Sequence, residues 1–209
     1  MSEAERYYSR LSRVYDWLAA SEKKFINRGL ELLNPLEGEK ILEIGFGTGF
    51  AQEKIIRAVG AGLSAGLDLS IGMGNAAKRN LSKAGLKERM ALVLSDTLPI
   101  PFPRGSFDGI FSSFTLELFD SPEIPKVLKE CRRVLKVGGR LVIVSLSKDD
   151  PLPLMGRIYE TLHNRYPMLL DCRPIPAREL LENAGFEIQE VVKTSMWGLP
   201  VIILDARII

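Results

Sequence analysis

The chain has 209 residues, and 28 Lys plus Arg against 26 Asp plus Glu leave a net charge of only +2. That balance lacks the basic excess of a nucleic-acid binder, so neither DNA nor RNA is an expected partner. With 46% apolar and 26% charged residues, 18 Gly and 12 Pro, the composition is that of an ordinary globular protein and excludes disordered, collagenous and fibrous classes.

Length alone implies a single domain over residues 1–209, and the pattern within it suggests a helical N-terminal cap at 1–36 and a lid-like insertion at 149–176. The opening stretch MSEAERYYSR carries acids and no apolar h-region, and no apolar run approaches the roughly 18 residues of a membrane span. The expected protein is cytoplasmic, without a transmembrane segment, with at most peripheral membrane contact, and a monomer or homodimer. Cys131 and Cys172 form no CxxC or Cys/His grouping, which gives neither a metal site nor a disulfide framework.

From residue 40 onward short apolar runs alternate with helical patterns, the signature of βαβ units around a parallel sheet. Lys40–Ile44 reads as the first strand, followed by a helix over about Thr48–Val59, a strand ending at Asp68 and a helix from Ser70 to about Ala84. Ala91–Leu94 and Phe107–Phe111 read as the third and fourth strands. Ser121-Pro122 then predicts an N-cap with proline at the first helical position. On that helix Ile124, Val127, Leu128, Cys131, Val134 and Leu135 share one face, which makes Cys131 a core residue. Gly138-Gly139 is expected to stop it before a buried strand at Arg140–Leu146. Five prolines within 149–176 interrupt the alternation just past that strand, where ligands of open α/β sheets bind. A helix near Ala177–Ala184 and strands at Phe186–Thr194 and Pro200–Ile208 complete the chain.

The most informative stretch is Lys40-Ile-Leu-Glu-Ile-Gly-Phe-Gly-Thr-Gly49, a strand running directly into alternating glycines and a helix. Gly45, Gly47 and Gly49 permit a tight turn and close approach of a ligand to bare backbone. A hydride-transfer dinucleotide site needs G-x-G-x-x-G to seat a pyrophosphate, and Phe50 stands where that third glycine belongs. The observed G-x-G-x-G, preceded by Glu43, resembles motif I of the class I S-adenosylmethionine-dependent methyltransferases. Asp68-Leu69-Ser70-Ile71-Gly72-Met73 is similar to that family's D-[LI]-S-x-x-M pattern. Asp96-Thr97-Leu98-Pro99 followed by Ser106-Phe107-Asp108 resembles its D-x-x-x-L-P-F…S-F-D segment, and Leu135-Lys-Val-Gly-Gly139 resembles its L-x-P-G-G, with Val137 in place of the proline.

The resemblance covers most of residues 40–146 and implies an α/β Rossmann-like three-layer sandwich with a seven-stranded, mostly parallel sheet and an antiparallel last strand. It implies S-adenosylmethionine as cofactor, with S-adenosylhomocysteine as product. Its cofactor-binding positions fall on Glu43, Gly45, Phe46, Gly47, Gly49, Asp68, Leu69, Met73, Asp96, Thr97 and Ser113. Asp68 would accept from the ribose hydroxyls, although a helix N-cap is the plainer reading of that residue. Met73 would lie on the adenine or simply fill core. Asp96 would take the adenine amino group.

Tyr15-Asp16 near a helical N-terminus looks like the branch containing ubiquinone and menaquinone C-methyltransferases, and implies Tyr15 as a further cofactor contact. The fourth-strand end Phe111-Ser-Ser-Phe114 departs from N/D-P-P-Y/F, which disfavours a nucleobase acceptor. The partner is then a small-molecule methyl acceptor, apolar and quinone-like or lipid-like, in a pocket of Phe114, Leu116, the lid and the N-terminal helix. Catalytic residues are not identified by any motif; His163, the sole histidine, and Tyr159 are weak candidates for a base, and Tyr166 is no stronger. A NAD(P)-dependent reductase and a non-catalytic S-adenosylmethionine-binding regulator are the alternatives.

Overall fold

A computed structural model describes residues 21–89, 91–94, 98–148 and 173–208. A helix, α1, occupies residues 21–33 and leads into β1 (Lys40–Ile44), α2 (Phe50–Val59), β2 (Leu63–Asp68), α3 (Ile71–Lys83) and β3 (Ala91–Leu94). After β4 (Phe107–Ser113) come α4 (Ile124–Val134), β5 (Leu135–Leu146), α5 (Ala177–Asn183), β6 (Glu187–Met196) and β7 (Leu199–Arg207). The seven strands form one sheet in the order β3-β2-β1-β4-β5-β7-β6. Pairing is parallel from β3 to β5, and β7 runs antiparallel to both of its neighbours. The order reverses between β1 and β4, so a crevice opens outside the carboxyl ends of those two strands.

Both faces of the sheet are covered, which is why β1, β4 and β5 are apolar runs instead of alternating ones. On one face Leu42, Ile44, Ile110, Leu141 and Ile143 meet Val127, Leu128 and Cys131 of α4 and Leu181 of α5. On the other, Ile41, Phe111, Val142 and Val144 meet Phe25 and Leu33 of α1 and Ile55 and Val59 of α2. Cys131 is a core residue as expected, and burial pushes its thiol up to about 12.

α1 lies close to the sheet because Gly29 has no side chain: a Cβ there would meet Val144 and Phe111 at 2.7 and 2.9 Å. The helix ends at Asn34 in a left-handed conformation, φ 43. There Arg140 of β5 donates to the Leu33 and Asn34 carbonyls and pairs with both carboxylate oxygens of Glu39. One guanidinium thereby ties the end of α1 and the entry to β1 onto β5.

Two expected helix boundaries are corrected. The N-cap of α4 is Glu123 and its early proline is Pro125, because the Asp120 carbonyl accepts from both Glu123 and Ile124 N–H and spends Ser121-Pro122 on a preceding turn. Gly138-Gly139 does not end this helix either. The backbone is already extended at Leu135, which pairs with Phe107, and the strand register then jumps to Arg140 opposite Gly109. The glycines lie inside that irregularity, with Gly138 at φ 73 and Val137 exposed.

Most of the proline-rich insertion lies outside the described residues, but its ends meet. Lys148 N–H donates to the Ile175 carbonyl at 2.9 Å, and Ile175 N–H to the Leu146 carbonyl at 3.1 Å. The insertion therefore leaves and re-enters the fold at the carboxyl end of β5, beside the crevice.

Candidate active site

The glycine turn closes at the end of β1 through local backbone bonds. Gly45 N–H donates to the Leu67 carbonyl at 2.8 Å and Gly49 N–H to the Phe46 carbonyl at 2.8 Å. Gly45, Gly47 and Gly49 all have left-handed φ values, 75, 51 and 86 respectively, which an L side chain adopts only under strain. Their surroundings differ. A Cβ on Gly45 would lie 2.1 Å from the Thr115 hydroxyl, whereas one on Gly47 would meet nothing within 4 Å. Gly45 is thus pressed against the turn after β4, and Gly47 faces open space.

Asp68 braces this loop from the end of β2. Its Oδ2 accepts from Gly47 N–H at 2.9 Å and its Oδ1 from Ser70 N–H at 2.8 Å. The N-cap of α3 is Ser70, whose hydroxyl accepts from Met73 N–H, so the plainer reading of Asp68 as the cap does not hold. Leu69, Ile71 and Met73 are 73%, 69% and 41% exposed, which excludes Met73 as core filling and makes a short apolar rim beside the loop.

Glu43 is buried on β1, and its Oε2 has no protein partner among the described residues. Burial, and then the nearby Asp68 carboxylate, push its carboxyl up to about 8. A carboxyl held in this way suits a cationic ligand, which would supply the missing interaction. An orphaned acceptor at Glu43, open space over Gly47 and an exposed apolar rim fit S-adenosylmethionine, a cofactor with a sulfonium, an ammonium and an adenine but no phosphate.

Of the other expected positions, Phe46 turns its ring under β2 against Gly66, and there serves as a wedge beneath the loop. Ser113 ends β4 and its carbonyl accepts from the Thr115 hydroxyl at 2.8 Å. Asp108 is structural, taking Lys40 N–H and the Lys136 ammonium. Phe114 and Leu116 are buried in opposite cores and do not form an open wall, since Phe114 stacks edge-on against Phe25 at 6.2 Å. Tyr15, Asp96, Thr97, Tyr159, His163 and Tyr166 lie outside the described residues.

The structure adds two carboxylates that motif reading misses. Glu117, in a short turn over Leu116–Leu118, is buried at the carboxyl ends of β4 and β5, and its Oε1 accepts from Leu146 N–H at 3.2 Å. Glu22, in the first described turn of α1, interacts electrostatically with it. The available signal was a lone acid in Phe114-Thr-Leu-Glu-Leu-Phe119.

A glycine turn without room for the pyrophosphate spacing, set at the reversal of this sheet and flanked by acids from β1 and β2, defines an S-adenosylmethionine-dependent methyltransferase. Residues 41–139 match the family described as a methyltransferase domain, and the chain belongs to that family. It is 32% identical to the demethylmenaquinone methyltransferase of Thermotoga maritima over 161 residues, 75% of this chain and 67% of that protein. The corresponding Bacteroides fragilis protein is 27% identical over 167 residues, covering 77% of this chain and 67% of its own length. A SAM-dependent methyltransferase of known structure from Aquifex aeolicus superposes with a TM-score of 0.65 at 26% identity, over 88% of this chain and 89% of that one.

Proposed function

We infer that the chain methylates carbon on a small, apolar, quinol-type acceptor. The observation that carries this reading is the similarity to demethylmenaquinone methyltransferases over three quarters of the chain, 77% in the Bacteroides case. It is supported by the apolar rim of Leu69, Ile71 and Met73 and by Leu118, which is 54% exposed on the turn after β4.

When bound, S-adenosylmethionine supplies an electrophilic methyl carbon on a positively charged sulfur. The residues of this chain hold and orient it. Asp68 takes the ribose hydroxyls with the lone pairs left after Gly47 and Ser70, and Glu43 faces the cationic end. Leu69 and Met73 cover the adenine, and Asp96 with Thr97 takes its polar edge. Gly45, Gly47 and Gly49 let the backbone approach, with Phe46 supporting the turn, and Ser113 and Tyr15 complete the set. Alignment of acceptor, methyl and sulfur accounts for most of such a displacement. Residues 1–36 as a cap and 149–176 as a lid would exclude water, within one domain.

The test is incubation of the purified chain with S-adenosylmethionine and a reduced short-chain demethylmenaquinone, read by mass spectrometry. The expected product carries one added methyl on ring carbon. Turnover confined to polar metabolites overturns the reading.

A further inference from the structure

The first described turn of α1 reaches both the start of α2 and the turn after β4. Lys23 lies over the ring of Phe50, the residue after Gly49, at 5.2 Å, and Phe25 stacks on Phe114. Glu22, adjacent to Lys23 in the same turn, interacts electrostatically with Glu117 on the turn after β4. That turn is set by Phe114, whose left-handed φ of 48 breaks the strand just after its N–H donates to the Val144 carbonyl. The break sends Thr115 beneath Gly45 and carries Glu117 across to Leu146. Glu117 is only 1% exposed, and its Oε2 has no hydrogen-bond partner among the described residues. A buried carboxylate oxygen left unpaired costs stability, so a fold that keeps one at the carboxyl ends of β4 and β5 provides an acceptor for a ligand's proton or hydroxyl.

We propose that Glu117 is the base that takes the hydroxyl proton of the methyl acceptor. This rests on the reading of the acceptor as a quinol. The acceptor O–H bond breaks and its proton passes to Glu117 Oε2, while the freed electron pair feeds through the ring to the attacking carbon. That carbon forms the new bond to the methyl group as the methyl–sulfur bond breaks, its pair staying on sulfur as a neutral thioether. Loss of the ring C–H proton to solvent and return of the proton from Glu117 to oxygen restore the aromatic ring and the base. No oxidant or reductant is consumed.

The groups facing Glu117 suit this role. Burial comes first among the causes that push it up to about 7; its own N–H, the Leu146 N–H and the Ser145 hydroxyl on β5 oppose that shift, and Glu22 on α1 reinforces it. Burial likewise pushes Glu22 up to about 7. A base poised near neutrality takes a proton and gives it back within one turnover.

The experiment uses the full chain with reduced short-chain demethylmenaquinone, measuring kcat and KM from pH 5 to 9 alongside S-adenosylhomocysteine affinity by calorimetry. Wild type should lose kcat below about pH 7 along a limb of unit slope. Glu117→Gln should lower kcat by about 10²–10⁴-fold and abolish that limb, with cofactor affinity within about threefold of wild type; Glu117→Asp should restore part of the rate. Glu22→Gln should move the limb to lower pH, because a neutral neighbour no longer repels the ionised base. This second variant decides the matter should Glu117→Gln not fold. A wild type inactive on the quinol overturns the acceptor reading and the proposal with it. An active wild type whose Glu117→Gln variant keeps its rate and pH profile, or whose limb stays fixed in Glu22→Gln, overturns the assignment of Glu117 alone.

Discussion

Asp68 Oδ2 holds the Gly47 N–H at 2.9 Å, so an acid at the end of β2 fixes the middle of the turn that ends β1. The same carboxylate takes Ser70 N–H through its other oxygen. Asp68→Ala should therefore leave two backbone donors without their charged acceptor, at about 1–3 kcal/mol each before water relieves them. Calorimetry with S-adenosylhomocysteine should show at least about a tenfold loss of affinity, from the loosened loop and the missing ribose acceptor. Unchanged affinity would remove Asp68 from the site.

The two glycines before the helix should respond differently to alanine. Gly45→Ala drives a Cβ into Thr115 and into a left-handed φ, so the melting temperature and cofactor affinity should fall together. Gly47→Ala meets no protein atom within 4 Å and should cost only the left-handed penalty of about 1–2 kcal/mol, while its methyl obstructs the cofactor. The prediction is checked by melting curves with and without S-adenosylhomocysteine, which should no longer raise the melting temperature of Gly47→Ala.

Glu43 should make cofactor binding pH-dependent. Its carboxyl rises from the ordinary 4.5 to about 8 on folding, so its contribution to stability is full below 4.5 and is lost as pH climbs through 8. Glu43→Gln should flatten the decline in the melting temperature of the cofactor-free protein between about pH 5 and 8. A cationic cofactor favours the ionised form, so binding at pH 7 should release up to about one proton, and affinity should rise with pH until about 8. Calorimetry in buffers of different ionisation enthalpy measures this proton directly, and Glu43→Gln should abolish it.

Arg140 carries a separate, structural prediction. It closes the end of α1 and chelates Glu39, with side chains 14% and 18% exposed. Although burial works the other way, the Arg140 hydrogen bond helps hold Glu39 below its ordinary value. The support from this pair should persist above the ordinary carboxylate range and fade as pH falls through the depressed value. Arg140→Met should lower unfolding free energy by about 1–3 kcal/mol in urea titrations at pH 7, with less difference from wild type in strong acid.

The sheet and the glycine turn after β1 were legible in the sequence because their signals are local. Lys40–Ile44 runs into Gly45 and Ala91–Leu94 into Ser95, and Ser70 caps α3 three residues before Met73. The start of α4 was not legible, because Ser121-Pro122 offers good capping chemistry while the decisive acceptor is the Asp120 backbone carbonyl, which no side chain announces. Gly138-Gly139 misled for a related reason: what ends the helix is the pairing of Leu135 with Phe107, 28 residues away. Glu117 was missed because its neighbours Leu146 and Glu22 come from β5 and α1, and only the folded topology brings them together.

The final strand, β7, enters the sheet between β5 and β6 and pairs with β5 along seven registered positions from Arg140 to Leu146. During synthesis β6 therefore emerges before the strand that will hold it, while β5 waits with a bare, apolar border. Chains halted before Leu199 by a premature stop codon should thus reach the cell as templates for cross-strand aggregation and early degradation, even with every residue of the glycine turn already made.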